Sequence, residues 1–208
     1  AKTEFLSIAS HQLRTPLTAI KGYLSMILEG TYGALPEKIK KPMENVFLSN
    51  ERMIKLVNDL LSASRIETGK VELNFERADL TEIVENAIKE VEIKAKEKGL
   101  YLKFEKRENL PKILVDKEKI RQVVLNLLDN AIRYTNQGGV KVGLRVVKNG
   151  LQILVEDTGE GMTKEEISKL FESFSRGSAG QKMWTEGAGL GLYIAKKLVE
   201  LHRGKIWA

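Results

Sequence analysis

Leu6, Leu13, Ile20 and Ile27 stand seven residues apart, and Leu17 and Leu24 add a second row three residues before Ile20 and Ile27. Two apolar rows at heptad spacing, from Thr3 to about Leu28, make the seam of a long helix built to pack against another. Residues 30–36, Gly-Thr-Tyr-Gly-Ala-Leu-Pro, then break the pattern with turn-forming glycines and a proline. A second seam follows through Ile39, Met43, Val46, Asn50, Met53, Val57, Leu60 and Ser64. Two long seams joined by a short turn form a helical hairpin. A lone hairpin covers its apolar rows poorly, whereas two copies bury them in a four-helix bundle, so the pattern predicts a homodimer.

Beyond Arg65 the periodicity changes. Residues 64–70 read as a linker, and the alternation in 71–76 reads as a strand. Asp79 is placed to cap a helix reaching Lys98, with Glu82 three residues on in a capping-box arrangement. Tyr101–Glu105 and Ile113–Val115 read as short strands, and Asp116 caps a helix to about Tyr134. Residues 139–157 alternate as a hairpin whose turn falls at Lys148-Asn149-Gly150. A polar segment from Gly159 to about Glu186 holds one short helix near 165–170. Its length suits a functional lid or disorder. A last helix runs from Gly189 to His202, and Lys205–Trp207 begins a strand. The second part is therefore α+β: a mixed, mostly antiparallel sheet with helices on one face.

Composition narrows the chemistry. With 42% apolar residues in 208, a packed core is expected. No cysteine is present, which excludes disulfides, thiolate metal sites and a cysteine nucleophile. The net charge of +6 is diluted, with 8 basic and 6 acidic residues in 1–64 and the rest spread over the remainder. Without a clustered basic face, nucleic-acid binding is not expected. No apolar run approaches the ~18 residues of a membrane span, and no signal peptide is evident. The chain starts inside a helical pattern, as a fragment would.

Four features can carry chemistry. His11 falls in the polar row of Glu4, Thr18 and Ser25, so its ring is expected beside the bundle, facing water. It reads either as a solvated surface histidine or as a nucleophile, for which a pKa of ~6.5 is suited. Pro16 removes the bond to the Gln12 carbonyl, next to His11, and is expected to bend or loosen the helix there, unless it is a merely tolerated kink. Asn126 and Asn130 lie one turn apart in an otherwise apolar helix. Buried carboxamides need partners, and their oxygens are hard ligands suited to Mg²⁺; pairing with backbone is the alternative.

Asp157-Thr158-Gly159-Glu160-Gly161 follows an apolar strand. It is either an ordinary turn or a place where backbone meets a ligand closely, with a carboxylate to accept from an exocyclic amine. Gly187, Gly189, Leu190 and Gly191 open the last helix, where free N–H groups favour phosphate. No GK[ST] follows and no strand leads directly in, so this is neither a P-loop nor a dinucleotide fingerprint.

In this order the motifs resemble the catalytic core of a two-component sensor histidine kinase. FLSIASHQLRTPLTAIKGY resembles the phosphoacceptor box, NLLDNAIRYT the N box, DTGEGM the first Gly box, FESFSRG the F box and GAGLGLYIAKKLVELHRGKI the second Gly box. The resemblance implies a dimerisation and phosphotransfer hairpin over 1–66 and an ATP-binding domain over 67–208, in a cytoplasmic core that can belong to a larger sensor. It implies phosphorylation of His11 by ATP and transfer to an aspartate of a response regulator. Asn130 would hold Mg²⁺ with Asn126 in support. Arg133, where a lysine is usual, would lie near the phosphates, and Tyr134 would pack on the nucleotide. Asp157 would bind the adenine amino group, with Gly159 and Gly161 beside it. Phe171, Phe174 and Arg176 would belong to the lid. Gly187, Gly189, Leu190 and Gly191 would border the triphosphate, and Thr15 would orient water in dephosphorylation.

Two departures qualify this. Gln12 stands where the family has Glu or Asp, and an amide cannot take the imidazole proton. A slow kinase, one biased to phosphatase action, or a catalytically weak dimeric scaffold that binds a response regulator follows from that difference. The family's ATP-binding domain also continues to a further strand, so Ile206 and Trp207 are expected at an uncovered sheet edge that lowers stability.

Overall fold

The computed structural model describes residues 2–107, 109–173 and 189–208, apart from the side chains of 2–8 and of His11. Two units are distinguished, one formed by residues 1–71 with 179–190 and one by 72–178 with 191–208.

The first unit is the predicted hairpin. Helix α1 spans Lys2–Leu28 and α2 spans Glu37–Glu67. Each helix buries one of its two apolar rows and leaves the other exposed. Ser10, Leu17 and Leu24 are buried on α1, as are Asn50, Val57 and Ser64 on α2. Leu13 and Ile20, and Ile39, Val46 and Met53, are about half exposed. Leu17, Val57 and Leu61 form the local core, with Ile54 packed on it. Two polar ties fix the register: Asn50 Nδ2 donates to the Leu17 carbonyl over 3.0 Å, and Arg14 Nε donates to Asn58 Oδ1 over 3.0 Å. The expected bend at Pro16 does not break α1, which continues through it, and α2 likewise accommodates Pro42. The expected linker at 64–70 is largely helical, because α2 runs to Glu67 before Gly69 turns with φ +65°.

The second unit opens on β1, Glu76–Ala78, paired antiparallel with β3, Ile113–Val115. The alternation from Val71 is therefore strand only at its end. Helix α3, Leu80–Glu97, is capped by Asp79, whose carboxylate accepts from the Thr81 N–H over 2.8 Å. It ends in a Schellman motif: Gly99 N–H bonds the Lys96 carbonyl and Leu100 N–H the Ala95 carbonyl, both at 2.9 Å, with Gly99 at φ +69°. Strand β2, Tyr101–Glu105, lies parallel to β4, Gly139–Val147, which pairs antiparallel with β5, Gly150–Asp157. The sheet is thus mixed, as expected, with order β2-β4-β5. Val147 faces Gly150 across the hairpin, so the loop residues are Lys148 and Asn149 and the glycine begins the next strand.

Helix α4, Lys117–Tyr134, is capped by Asp116, whose Oδ1 accepts from Lys119 N–H over 3.0 Å. Its apolar face, Ile120, Val124, Leu128, Ala131 and Ile132, joins Ile83, Val84 and Ala87 of α3 and Val140, Val142 and Leu144 of β4 in one core. Helix α5, Lys164–Lys169, carries a capping box between Thr163 and Glu166. Helix α6 spans Gly191–Leu201 and packs on α4, burying Ile194, Ala195 and Leu198. It starts two residues later than the sequence pattern suggests, because Gly189 adopts φ +70° and cannot join a right-handed helix there. The expected strand at 205–207 is absent: those residues carry no strand pairing.

His202, just past α6, knits the unit together. Its Nε2 accepts from the Asp116 N–H over 3.1 Å, so Nδ1 carries the proton and donates to the Leu198 carbonyl over 2.7 Å. Asp116 Oδ2 in turn accepts from the Asn74 N–H over 2.9 Å, and the Phe75 ring meets the imidazole edge-on.

Candidate functional site

The chemistry-bearing stripe of the second unit is on α4. Asn126, Asn130 and Arg133 recur at i, i+4 and i+7, beside the buried apolar face, and all three are half-buried. Tyr134, at the helix end, is 37% exposed and so can offer its ring to a ligand. An amphipathic helix places such residues at the border between core and solvent, where a polar group can be held without full desolvation.

Two other segments meet this stripe. Asn126 Nδ2 donates to the Gly191 carbonyl over 3.0 Å, joining α4 to the first residue of α6. A Cβ placed on Gly191 would stand 3.5 Å from Asn126 Oδ1, an ordinary contact distance, so the carboxamide lies directly against the helix start. The first N–H groups of α6 have no partner within that helix and carry its positive dipole end, a setting suited to an anion. At the other end of α4, Gly159 lies against Tyr134: a Cβ there would come within 2.6 Å of the Tyr134 carbonyl oxygen and 2.7 Å of Asp157 Oδ1. Only glycine permits that approach. Asp157 Oδ1 accepts from the Gly159 N–H over 2.8 Å, which orients the exposed carboxylate at the end of β5. Gly161 follows at φ +73°.

Thr158 is a residue that motif reading passes over. Its hydroxyl donates to the Gln137 carbonyl over 2.8 Å and accepts from the Gly139 N–H over 3.0 Å, closing the loop between α4 and β4 onto the strand end. Only the folded chain brings these positions together, 21 and 19 residues apart.

Within this unit the structure brings together Asn126, Gly191, Tyr134, Gly159 and Asp157. Asn130 and Arg133 share the stripe. Leu190 is buried and precedes α6. Phe174, Arg176 and Gly187 lie outside the described residues, whereas Phe171 is half-buried just after α5. In the hairpin, Gln12 and Thr15 are exposed on α1, the latter one turn after His11, whose side chain lies outside the described residues.

Two family models match the chain. Residues 1–69 match the His Kinase A (phospho-acceptor) domain, and residues 115–208 match the histidine kinase-, DNA gyrase B- and HSP90-like ATPase domain. Among similar proteins, the non-motile and phage-resistance protein of Caulobacter vibrioides is 36% identical over 98% of this chain and 25% of its own length. The cell-division control histidine kinase PdhS of Brucella anthropi is 36% identical over 98% of this chain and 20% of its own. The chain thus spans about a quarter or less of these relatives. Full-length ShkA, solved in complex with AMPPNP, aligns over 95% of this chain and 40% of that one, with 29% identity and a TM-score of 0.75. Histidine kinase ThkA, solved in complex with response regulator protein TrrA, aligns over 98% and 56%, with 26% identity and a TM-score of 0.63. With a phosphoacceptor hairpin followed by an ATPase-type domain, in that order and beside histidine kinases as relatives, the chain belongs to the sensor histidine kinases and comprises their catalytic core.

Proposed function

We propose that this core phosphorylates His11 from ATP and passes the phosphoryl group to an aspartate of a response-regulator receiver domain. The observation that carries the reading is the convergence on one helix, α4, of the α6 start through Asn126 and Gly191 and of the β5 end through Gly159 and Tyr134. In this reading Asp157 accepts from the adenine amino group, with Gly161 completing the turn. Tyr134 packs on the nucleotide. Arg133 and the start of α6 at Gly191 face the phosphates, and the family resemblance adds Gly187, Gly189, Leu190 and Arg176 to the nucleotide-binding set.

The donor set suits Mg²⁺. Carboxamide oxygens are hard ligands of the kind that hold an ion keeping most of its waters, and Asn126 and Asn130 are only half-buried. Asn130 would hold it with Asn126 in support, and the ion would neutralise charge on the phosphates.

At His11 a ring nitrogen forms the N–P bond while the γ-phosphorus parts from its bridging oxygen and ADP leaves; the ring N–H proton must then go elsewhere. Gln12 is exposed and can accept that N–H through its carbonyl oxygen, holding the tautomer, but cannot remove the proton. Thr15 would orient water for dephosphorylation of the partner, in which water takes the phosphoryl group and the aspartate carboxylate leaves.

The half-exposed rows of Leu13, Ile20, Ile39, Val46 and Met53 support a homodimer, since a second hairpin would cover them in a four-helix bundle. ThkA, solved with a response regulator, supports the partner class.

A second reading, a dimeric scaffold without appreciable catalysis, is favoured by Gln12 alone. Calorimetric titration with ATP, with and without Mg²⁺, separates the two. Saturable binding strengthened by Mg²⁺ supports the kinase; indifference to millimolar ATP supports the scaffold.

A further inference from the structure

Lys98 reaches from the end of α3 to the end of α4. Its Nζ donates to the carbonyls of Ile132 at 2.8 Å, Arg133 at 2.9 Å and Thr135 at 3.2 Å. An ammonium has three N–H donors, and here all three are directed at backbone. The reach is prepared on both sides. On α3 the Schellman motif through Gly99 and Leu100, with Leu100 buried, fixes the backbone from which Lys98 projects. On α4 the hydroxyl and N–H of buried Thr135 both return to the Ala131 carbonyl, at 2.7 and 3.1 Å, closing the final turn. Helix C-terminal carbonyls otherwise lack partners and carry the negative dipole end, which a cation offsets.

The turn so held is Ile132 to Thr135. It contains Arg133 and Tyr134, and the Tyr134 carbonyl is the surface against which Gly159 packs beside Asp157. Loosening that turn would displace the residues read as phosphate and nucleotide contacts and the seat of the strand end together.

We propose that Lys98 is a positioning residue for the nucleotide: through three carbonyls it sets the last turn of α4, and thereby Arg133, Tyr134 and the Asp157–Gly159 turn. This rests on the ATP-site reading above. Lys98 touches backbone of its own chain rather than nucleotide.

The test compares wild type, Lys98→Met and Lys98→Arg in the whole chain. Binding of a non-hydrolysable ATP analogue with Mg²⁺ is measured by calorimetry, KM and kcat by autophosphorylation, and folding by thermal melting. Lys98→Met should raise the analogue's Kd and the KM for ATP by about five- to tenfold, with kcat changed less than about twofold. Lys98→Arg keeps the charge and part of the bonding and should recover most of the affinity. A Met variant that is folded at the assay temperature and binds with wild-type Kd overturns the role, whatever its melting temperature. If the Met variant does not fold, Lys98→Gln, which keeps donors but not the charge, is measured in its place: a raised Kd in the folded protein supports the role and a wild-type Kd overturns it. A wild type that does not bind the analogue removes the ATP reading itself, and this role with it.

Discussion

The carboxamide of Asn126 and the carbonyl of Gly191 are joined by a 3.0 Å hydrogen bond that ties the middle of α4 to the first residue of α6. The bond spans 65 residues of sequence and holds the polar stripe of one helix against the N-terminus of another. Asn126→Ala should cost about 1–2 kcal/mol of stability by leaving that carbonyl without its partner. It should also abolish measurable ATP binding, since the two halves of the site are no longer tied. Urea melts and calorimetry on the same sample check both.

Gly159→Ala should be more damaging than its one added carbon suggests. The new methyl would meet the Tyr134 carbonyl at 2.6 Å and Asp157 Oδ1 at 2.7 Å, and the first of these is backbone that cannot rotate aside. We expect a fall of about 1–3 kcal/mol in stability and weakened nucleotide binding. Equal affinity in the variant would place the nucleotide away from the β5 end.

Asp116 makes stability depend on acid. Burial raises its pKa, but hydrogen bonds from the Asn74 and Lys119 N–H groups, with the charge of Lys119, outweigh this and leave it below the ordinary 3.8. A carboxylate whose pKa is depressed by folding contributes stability above its unfolded pKa and loses it as pH falls through the folded value. Stability should therefore decline as pH drops below about 4. Asp116→Asn, which keeps one acceptor but turns an amide N–H toward the other donor, should be about 1–2 kcal/mol less stable at pH 7. Its response between pH 5 and the acid limit should be flatter than that of the wild type, as read from denaturant midpoints across that range.

The exposed apolar rows give a separate test of the bundle. Ile20→Glu combined with Val46→Glu puts charge on both half-exposed rows while leaving Leu17, Val57 and Leu61 intact. Sedimentation equilibrium should then find a dimer for the wild type and a folded monomer for the variant. A dimer that persists would move the interface off these rows.

Gln12→Glu restores a group able to take the imidazole proton. The autophosphorylation rate should rise, up to the ~10²–10⁴-fold that a positioned general base supplies. An unchanged rate would mean that proton removal at this position does not limit the reaction.

How legible the protein was in its sequence differs by the range of the forces involved. Where neighbouring residues decide, as in the caps by Asp79 and Asp116 or the strands at 101–105 and 113–115, pattern and structure agree. The heptads announced the hairpin and that a single copy would cover its apolar rows poorly, but not which row of each helix would be buried, because that depends on what packs against it. Residues 71–75 alternate like a strand yet lie outside β1, since strand requires a partner and β3 offers only three positions. The final helix starts later than its letters suggest, because a glycine's φ is invisible in its letter. Of the site, the motif residues of α4, β5 and α6 were legible. Lys98 and Thr158 were not, because their partners are carbonyls and N–H groups far along the chain, and every residue type presents those alike.

The most direct measurement is incorporation of phosphate from γ-labelled ATP with Mg²⁺. Wild type should acquire an acid-labile, base-stable label that chases to a receiver-domain aspartate, and His11→Ala should acquire none. Label that persists in the His11→Ala chain, or a wild type that binds ATP yet is never labelled, would contradict phosphotransfer through this histidine.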